Sequence, residues 1–204
     1  MRRFLAAVAA FALLVSAPAS AADVVDRITP AKLGEILKAM TGKDVEFSKG
    51  DDGTEIVSVN TGNGYDDFIM DKCTAQGCTE IQMTCFFNKD DRLTLAAVNA
   101  FNGSSLNAQA ALKPNGNVYL YRLFVTEGGV TEANVRANIE IYMVADDIFL
   151  QTLDTQKVAS LPPAGVPVSA MKPESRHWPA ALPARMIKNI DRLSANPNRA
   201  HKPK

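Results

Sequence analysis

Residues 71–88 read DKCTAQGCTEIQMTCFFN. Cys73 and Cys78 flank Thr74-Ala75-Gln76-Gly77, a run of small and polar residues suited to a four-residue turn. Beyond the turn, Ile81, Met83, Cys85 and Phe87 alternate with Glu80, Gln82 and Thr84. That period of two is a strand with one apolar face and one face toward water, as in an antiparallel sheet. The two flanking cysteines then oppose each other across a hairpin. Directly opposed Cα atoms lie about 4.5–5.5 Å apart and a disulfide accepts about 4.4–6.8 Å, so a Cys73–Cys78 disulfide is predicted. Cys85 is left over on the apolar face, which suits a buried thiol. The alternative is a thiol that exchanges with the Cys73–Cys78 bond. That chemistry requires an exposed, low-pKa thiolate, and no basic residue neighbours Cys85 in the chain.

Working outward, Tyr65 to Cys73 forms the preceding strand and Cys78 to Asn88 the following one. Upstream, Val45-Glu46-Phe47 and Thr54 to Val59 flank the turn Gly50-Asp51-Asp52-Gly53, which predicts another hairpin. Thr29-Pro30 is an N-cap followed by a first-turn proline. Leu33, Ile36, Leu37 and Met40 then share one face, and Gly42 ends a helix over 30–41. Downstream, Asp90-Asp91 offers a cap for a helix from Arg92 to about Asn102. Residues 109–112 and 117–126 flank the turn Lys113-Pro114-Asn115-Gly116. Thr131 caps the longest helix, predicted to run to about Leu153 with Val135, Ile139, Tyr142, Met143, Phe149, Leu150 and Leu153 on its apolar face. The order is α-β-β-β-β-α-β-β-α. Strands and helices do not alternate singly, so the fold class is α+β with an antiparallel sheet and helices packed on it.

The two ends differ from this body. Met1-Arg2-Arg3, the apolar run Phe4–Val15 and the small residues Ala19-Ser20-Ala21 make the three parts of a secretory signal peptide over residues 1–21, cleaved near Ala21. The apolar run is shorter than the roughly 20 residues of a membrane span. A periplasmic location is the expectation, and an exported chain with three cysteines suits a disulfide. Formal charge is zero overall but divided. Residues 22–154 hold 11 Lys/Arg against 20 Asp/Glu, −9, whereas residues 155–204 hold 9 against 2, +7. Residues 155–204 are read as a Pro-rich basic tail, largely disordered. Prolines 162, 163, 167, 173, 179 and 183 forbid a long regular element, and Asn196–Lys204 is polar. Residues 184–193 can form one short amphipathic helix, with Arg185, Lys188 and Arg192 opposite an apolar stripe.

Several features of the body resemble the YbjN-domain family, labelled as bacterial sensory transduction regulators. They are Leu33-Gly34-Glu35-Ile36-Leu37, Cys73 with Cys78 before an alternating strand, Val98-Asn99-Ala100-Phe101-Asn102, Asn117-Val118-Tyr119-Leu120, and Glu127-Gly128-Gly129-Val130-Thr131. The resemblance covers roughly residues 28–153, leaving the leader and tail unmatched. It implies a fold similar to type III secretion chaperones, α+β domains that often dimerise and bind peptide segments. It carries no catalytic site and no cofactor. A homodimer is expected on this ground alone.

The side-chain inventory points away from an enzyme. The only histidines, His177 and His201, lie in the tail, so no Ser-His-Asp or Cys-His arrangement and no zinc-ligand spacing is visible. Neither catalytic, cofactor-binding nor metal-ligating residues are predicted. The doublets Asp51-Asp52, Asp66-Asp67, Asp90-Asp91 and Asp146-Asp147 read as solvated turn and capping residues. Asn99 and Asn102, three apart on one helix, either bond backbone at the helix end or form a small recognition patch. The tail residues Arg185, Lys188 and Arg192 offer a contact to the acidic body, to a protein partner or to an anionic membrane surface. An acidic body has the wrong sign for nucleic acid. The expected function is a non-enzymatic periplasmic binding, adaptor or chaperone-like protein with an unidentified protein or peptide partner. The alternatives are an envelope stress or redox-responsive factor using the Cys73–Cys78 disulfide, and a membrane-surface protein held by its basic tail.

Overall fold

The structure is a computed structural model that describes residues 24–62, 64–104, 108–159, 192–193, 195–196 and 199–201. The predicted leader over 1–21, together with Arg185 and Lys188, lies outside the described residues. The elements are β1 (Val24–Val25), α1 (Pro30–Thr41), β2 (Val45–Lys49), β3 (Glu55–Asn60), β4 (Tyr65–Thr74), β5 (Gly77–Phe87), α2 (Leu95–Ser104), β6 (Gln109–Leu112), β7 (Val118–Val125), β8 (Val130–Thr131) and α3 (Glu132–Ala159). The six-stranded sheet runs in the order β2-β3-β4-β5-β7-β6 with every pair antiparallel. β1 and β8 form a separate two-stranded pair. This is the expected α+β class. Among the described residues no helix is long and apolar enough to cross a membrane.

Local chemistry explains most boundaries. Thr29 caps α1 by accepting the Lys32 N–H at 3.2 Å, and Gly42 ends it in the left-handed conformation with φ 66°. Leu33, Ile36 and Leu37 bury the helix's inner face against the sheet, each contributing about 1.5–3 kcal/mol. Thr131 caps α3 by accepting from the Asn134 N–H at 3.1 Å. α3 continues past the expected end near Leu153 to Ala159, because no breaker stands before Pro162. α2 starts at Leu95 rather than Arg92. Asp90 spends its carboxylate on the Arg92 N–H in the preceding turn, and Thr94 accepts from the Ala97 N–H instead. The β4–β5 hairpin is tighter than predicted. Thr74 pairs with Gly77, leaving Ala75-Gln76 as its loop.

Pairing register assigns each strand face. Val57 and Val59, Phe68 and Met70, and Ile81, Met83, Cys85 and Phe87 face the helices with Phe101, Val135, Ile139, Tyr142, Phe149 and Leu153. Phe149 packs between Phe87 and Phe101, with ring centroids 4.9 and 5.2 Å away. The second face was expected to meet water, and this is corrected. β5 is buried along its whole length, and Ile56, Ile69 and Phe86 form a smaller cluster with Leu193 and Ala200 from the tail. The expectation of disorder is likewise corrected for residues 199–201. Tyr65 N–H donates to the Arg199 carbonyl at 3.0 Å, and His201 N–H donates to the Phe86 carbonyl at 2.5 Å. His201 forms a parallel bridge with Phe87. The tail passes the end of the sheet at Gly64, where any Cβ would collide with the His201 backbone, 2.7 Å from its N and Cα. Polarity alone suggested disorder; buried partners for Arg199 and His201 offset the ordering entropy.

Candidate functional site

The Asp66-Asp67 doublet sits inside strand β4, so the alternation of side chains sends one carboxylate to each face of the sheet. Both are buried, at 2% and 0% exposure, which corrects their reading as solvated turn residues. Each is met by a residue of the tail. On the second face, Arg199 donates to Asp67 Oδ1, and Ser58 donates to the same oxygen at 2.7 Å. Burial raises the Asp67 pKa from its ordinary value, and the Arg199 guanidinium opposes that shift.

On the helix face, Asp66 pairs across the sheet with Cys85, and His201 reaches both. His201 Nε2 lies 3.6 Å from Asp66 Oδ1. Asp146 of α3 completes the cluster. Its Oδ2 is 3.1 Å from His201 Nδ1, and its Oδ1 accepts from Cys85 Sγ at 3.7 Å. The fully buried Tyr142, one turn before Asp146, brings its hydroxyl beside Asp66 and Cys85. Asp66, Cys85 and His201 are 0–2% exposed. Asp66 Oδ1, both His201 ring nitrogens and the Tyr142 hydroxyl are buried without an aligned hydrogen-bond partner. Such groups are costly in a protein interior.

The electrostatics follow from burial. Burial drives the Asp66 carboxyl up; His201 pulls it back while Asp146 and Asp67 add to the rise, leaving it at about 7. For His201, burial favours the neutral ring, but Asp146 and Asp66 outweigh it and the net shift is upward. Burial, with Asp146 and Asp66, pushes the Cys85 thiol well above its ordinary range.

Cys73 and Cys78 are joined by a disulfide, and Cys85 is a buried free thiol. Exchange between Cys85 and that disulfide is ruled out by the register. Cys78 lies at the turn end of β5, and Cys85 seven residues along, roughly 23 Å away at about 3.3 Å per residue. Of the two readings of Asn99 and Asn102, Asn102 follows the backbone-bonding one. Asn99 is exposed, whereas Asn102 accepts from the Ala110 N–H at 2.8 Å and donates to the Ala110 carbonyl at 2.9 Å, clasping α2 to β6. Arg192 turns to the body, donating to the Lys49 carbonyl at 2.9 Å and pairing with Asp51 at 3.1 Å.

Sequence reasoning missed Asp66, Asp146 and His201 because they come from three distant parts of the chain. A signal was present. Two adjacent aspartates inside an apolar strand are expensive unless each is matched, and the basic tail holds matching groups.

No protein-family model matches the chain, and no curated protein matches it. Among solved structures, the chain is similar to one described as "Crystal structure of YbjN, a putative transcription regulator from E. coli". The TM-score is 0.47 at 17% identity, covering 67% of this chain and 96% of that one.

Proposed function

We propose that the protein is a non-enzymatic binding or adaptor protein of the periplasm, whose sheet face takes up an extended, arginine-bearing peptide segment. The observation that supports this reading is the chain's own tail. Leu193 and Ala200 fill an apolar strip between Ile56, Ile69 and Phe86, while Arg192 and Arg199 meet Asp51 and Asp67. An apolar strip beside carboxylates is a recognition surface for a segment with spaced arginines. The tail acts as a tethered competitor, and a partner segment of similar chemistry displaces it. The location rests on the leader pattern of residues 1–21.

The test is capture from an envelope extract on the full chain and on a chain ending at Ala159, the last residue of α3. The expected result is one partner retained more strongly by the shortened chain and released by a synthetic peptide of residues 184–204. Retention that this peptide leaves untouched, or turnover of a substrate abolished by a point change in the domain, sinks the proposal.

A further inference from the structure

We propose that Asp66, Cys85 and His201 form a metal site for Zn²⁺, positioned by Asp146, that fastens the C-terminal tail to the folded body. The argument is geometric. One ligand atom from each of the three residues lies within 4.8 Å of the others. Zinc bonds of about 2.0–2.3 Å at tetrahedral angles put neighbouring ligand atoms roughly 3.3–3.8 Å apart. The Nε2–Oδ1 separation of 3.6 Å already falls in that interval.

Three further observations bear on the same point. First, Asp66 Oδ1 and His201 Nε2 are buried and face each other at 3.6 Å without forming a hydrogen bond. Second, Asp146 Oδ2 stands 3.1 Å from Nδ1, on the side of the ring away from Asp66. A carboxylate behind a histidine fixes the ring and leaves Nε2 to the metal, the common supporting arrangement of zinc sites. Third, the charges favour a cation. A thiolate from Cys85 and a carboxylate from Asp66 neutralise a divalent ion, and the Asp146 carboxylate beside His201 and Cys85 adds one further negative charge. Mixed sulfur, nitrogen and oxygen donors suit zinc better than calcium or magnesium, which take oxygen. Three protein ligands leave a fourth position of a tetrahedral site open. Because His201 comes from the tail and the other ligands from β4 and β5, bound metal ties the two regions together.

The test uses full-length, tag-free protein stripped with a chelator and titrated with Zn²⁺ against a fluorescent indicator. We expect one equivalent bound. Cys85→Ser, Asp66→Asn and His201→Gln each weaken it at least tenfold (about 1.4 kcal/mol). Asp146→Asn weakens it by about 10–100-fold as a supporting residue. Cobalt in place of zinc should give a thiolate-to-metal charge-transfer band that persists in Asp146→Asn and vanishes in Cys85→Ser. His201→Gln lies outside the body's elements, so it remains informative should Cys85→Ser fail to fold. No stoichiometric binding overturns the proposal, and so does binding that His201→Gln leaves unchanged, which marks a metal held elsewhere. The measurement needs no partner, so its outcome is separate from that of the binding reading above.

Discussion

The guanidinium of Arg199 donates to a carboxylate, Asp67, that has no exposure to solvent. The same nitrogen donates to Ser58 Oγ at 2.5 Å, and the guanidinium lies over the Tyr65 ring at 4.5 Å. A tail residue therefore supplies the counter-charge for an aspartate in the middle of the sheet.

Replacing Arg199 with Ala leaves Asp67 buried and unpaired, so a loss of about 3 kcal/mol is expected. Urea unfolding measures it. Arg199→Ala combined with Asp67→Asn should recover most of the loss, since the charge that lacks a partner is then gone. Arg192→Ala removes an exposed pair with Asp51 and an exposed bond to the Lys49 carbonyl, and should cost under about 1 kcal/mol. Equal midpoints for wild type and Arg199→Ala would show that tail docking adds no stability.

The Cys73–Cys78 bond closes a very short loop, with a sequence separation of 5. Loop-closure entropy predicts a loss of about 2 kcal/mol in the double serine variant. Its midpoint in urea should fall without a change in slope. Zinc titration of the same variant should match wild type, because the cystine and Cys85 lie at opposite ends of β5.

Asn102→Ala removes both bonds to Ala110 and strands a buried backbone N–H, a cost of about 2 kcal/mol. Asn99→Ala, at an exposed position, should stay within about 0.5 kcal/mol of wild type. Hydrogen exchange at Ala110 provides the local readout: faster exchange in Asn102→Ala and none in Asn99→Ala. The reverse order of costs would show that Asn102 does not clasp α2 to β6.

Glu132 joins two helices through Lys32 at 2.8 Å and also accepts from Arg136 at 2.7 Å. Its bonds to Lys32 and then Arg136 hold its pKa below the ordinary 4.5. An acid with a lowered folded pKa contributes stability that is present above pH 4.5 and lost as pH falls through the folded value. Glu132→Gln should therefore lie below wild type in stability at neutral pH and converge with it in acid. Parallel stability–pH curves down to about pH 3 would refute the linkage.

Much of this architecture was legible in residue order. The Thr29 cap, the Gly42 stop, the Thr131 cap and the alternation from Ile81 to Phe87 are local signals, each readable within a few residues. The α2 start was misplaced because Asp90 and Thr94 are both good caps, and only the hydrogen bonds of the folded turn choose between them. The second sheet face was misread because Glu80, Gln82 and Thr84 carry polar side chains, yet all three are buried. Polarity describes what a residue prefers, and burial also depends on what covers it.

The cysteine pairing, the strand faces and the division between an acidic body and a basic tail follow from local spacing and composition, which act over a few residues and survive without knowledge of the fold. The cluster of Asp66, Cys85, Asp146 and His201 does not. It forms because β4 and β5 set Asp66 opposite Cys85, α3 packs Asp146 above them, and Gly64 leaves room for His201 to enter. Contacts between such distant positions depend on how the elements pack, and no spacing in the chain encodes that.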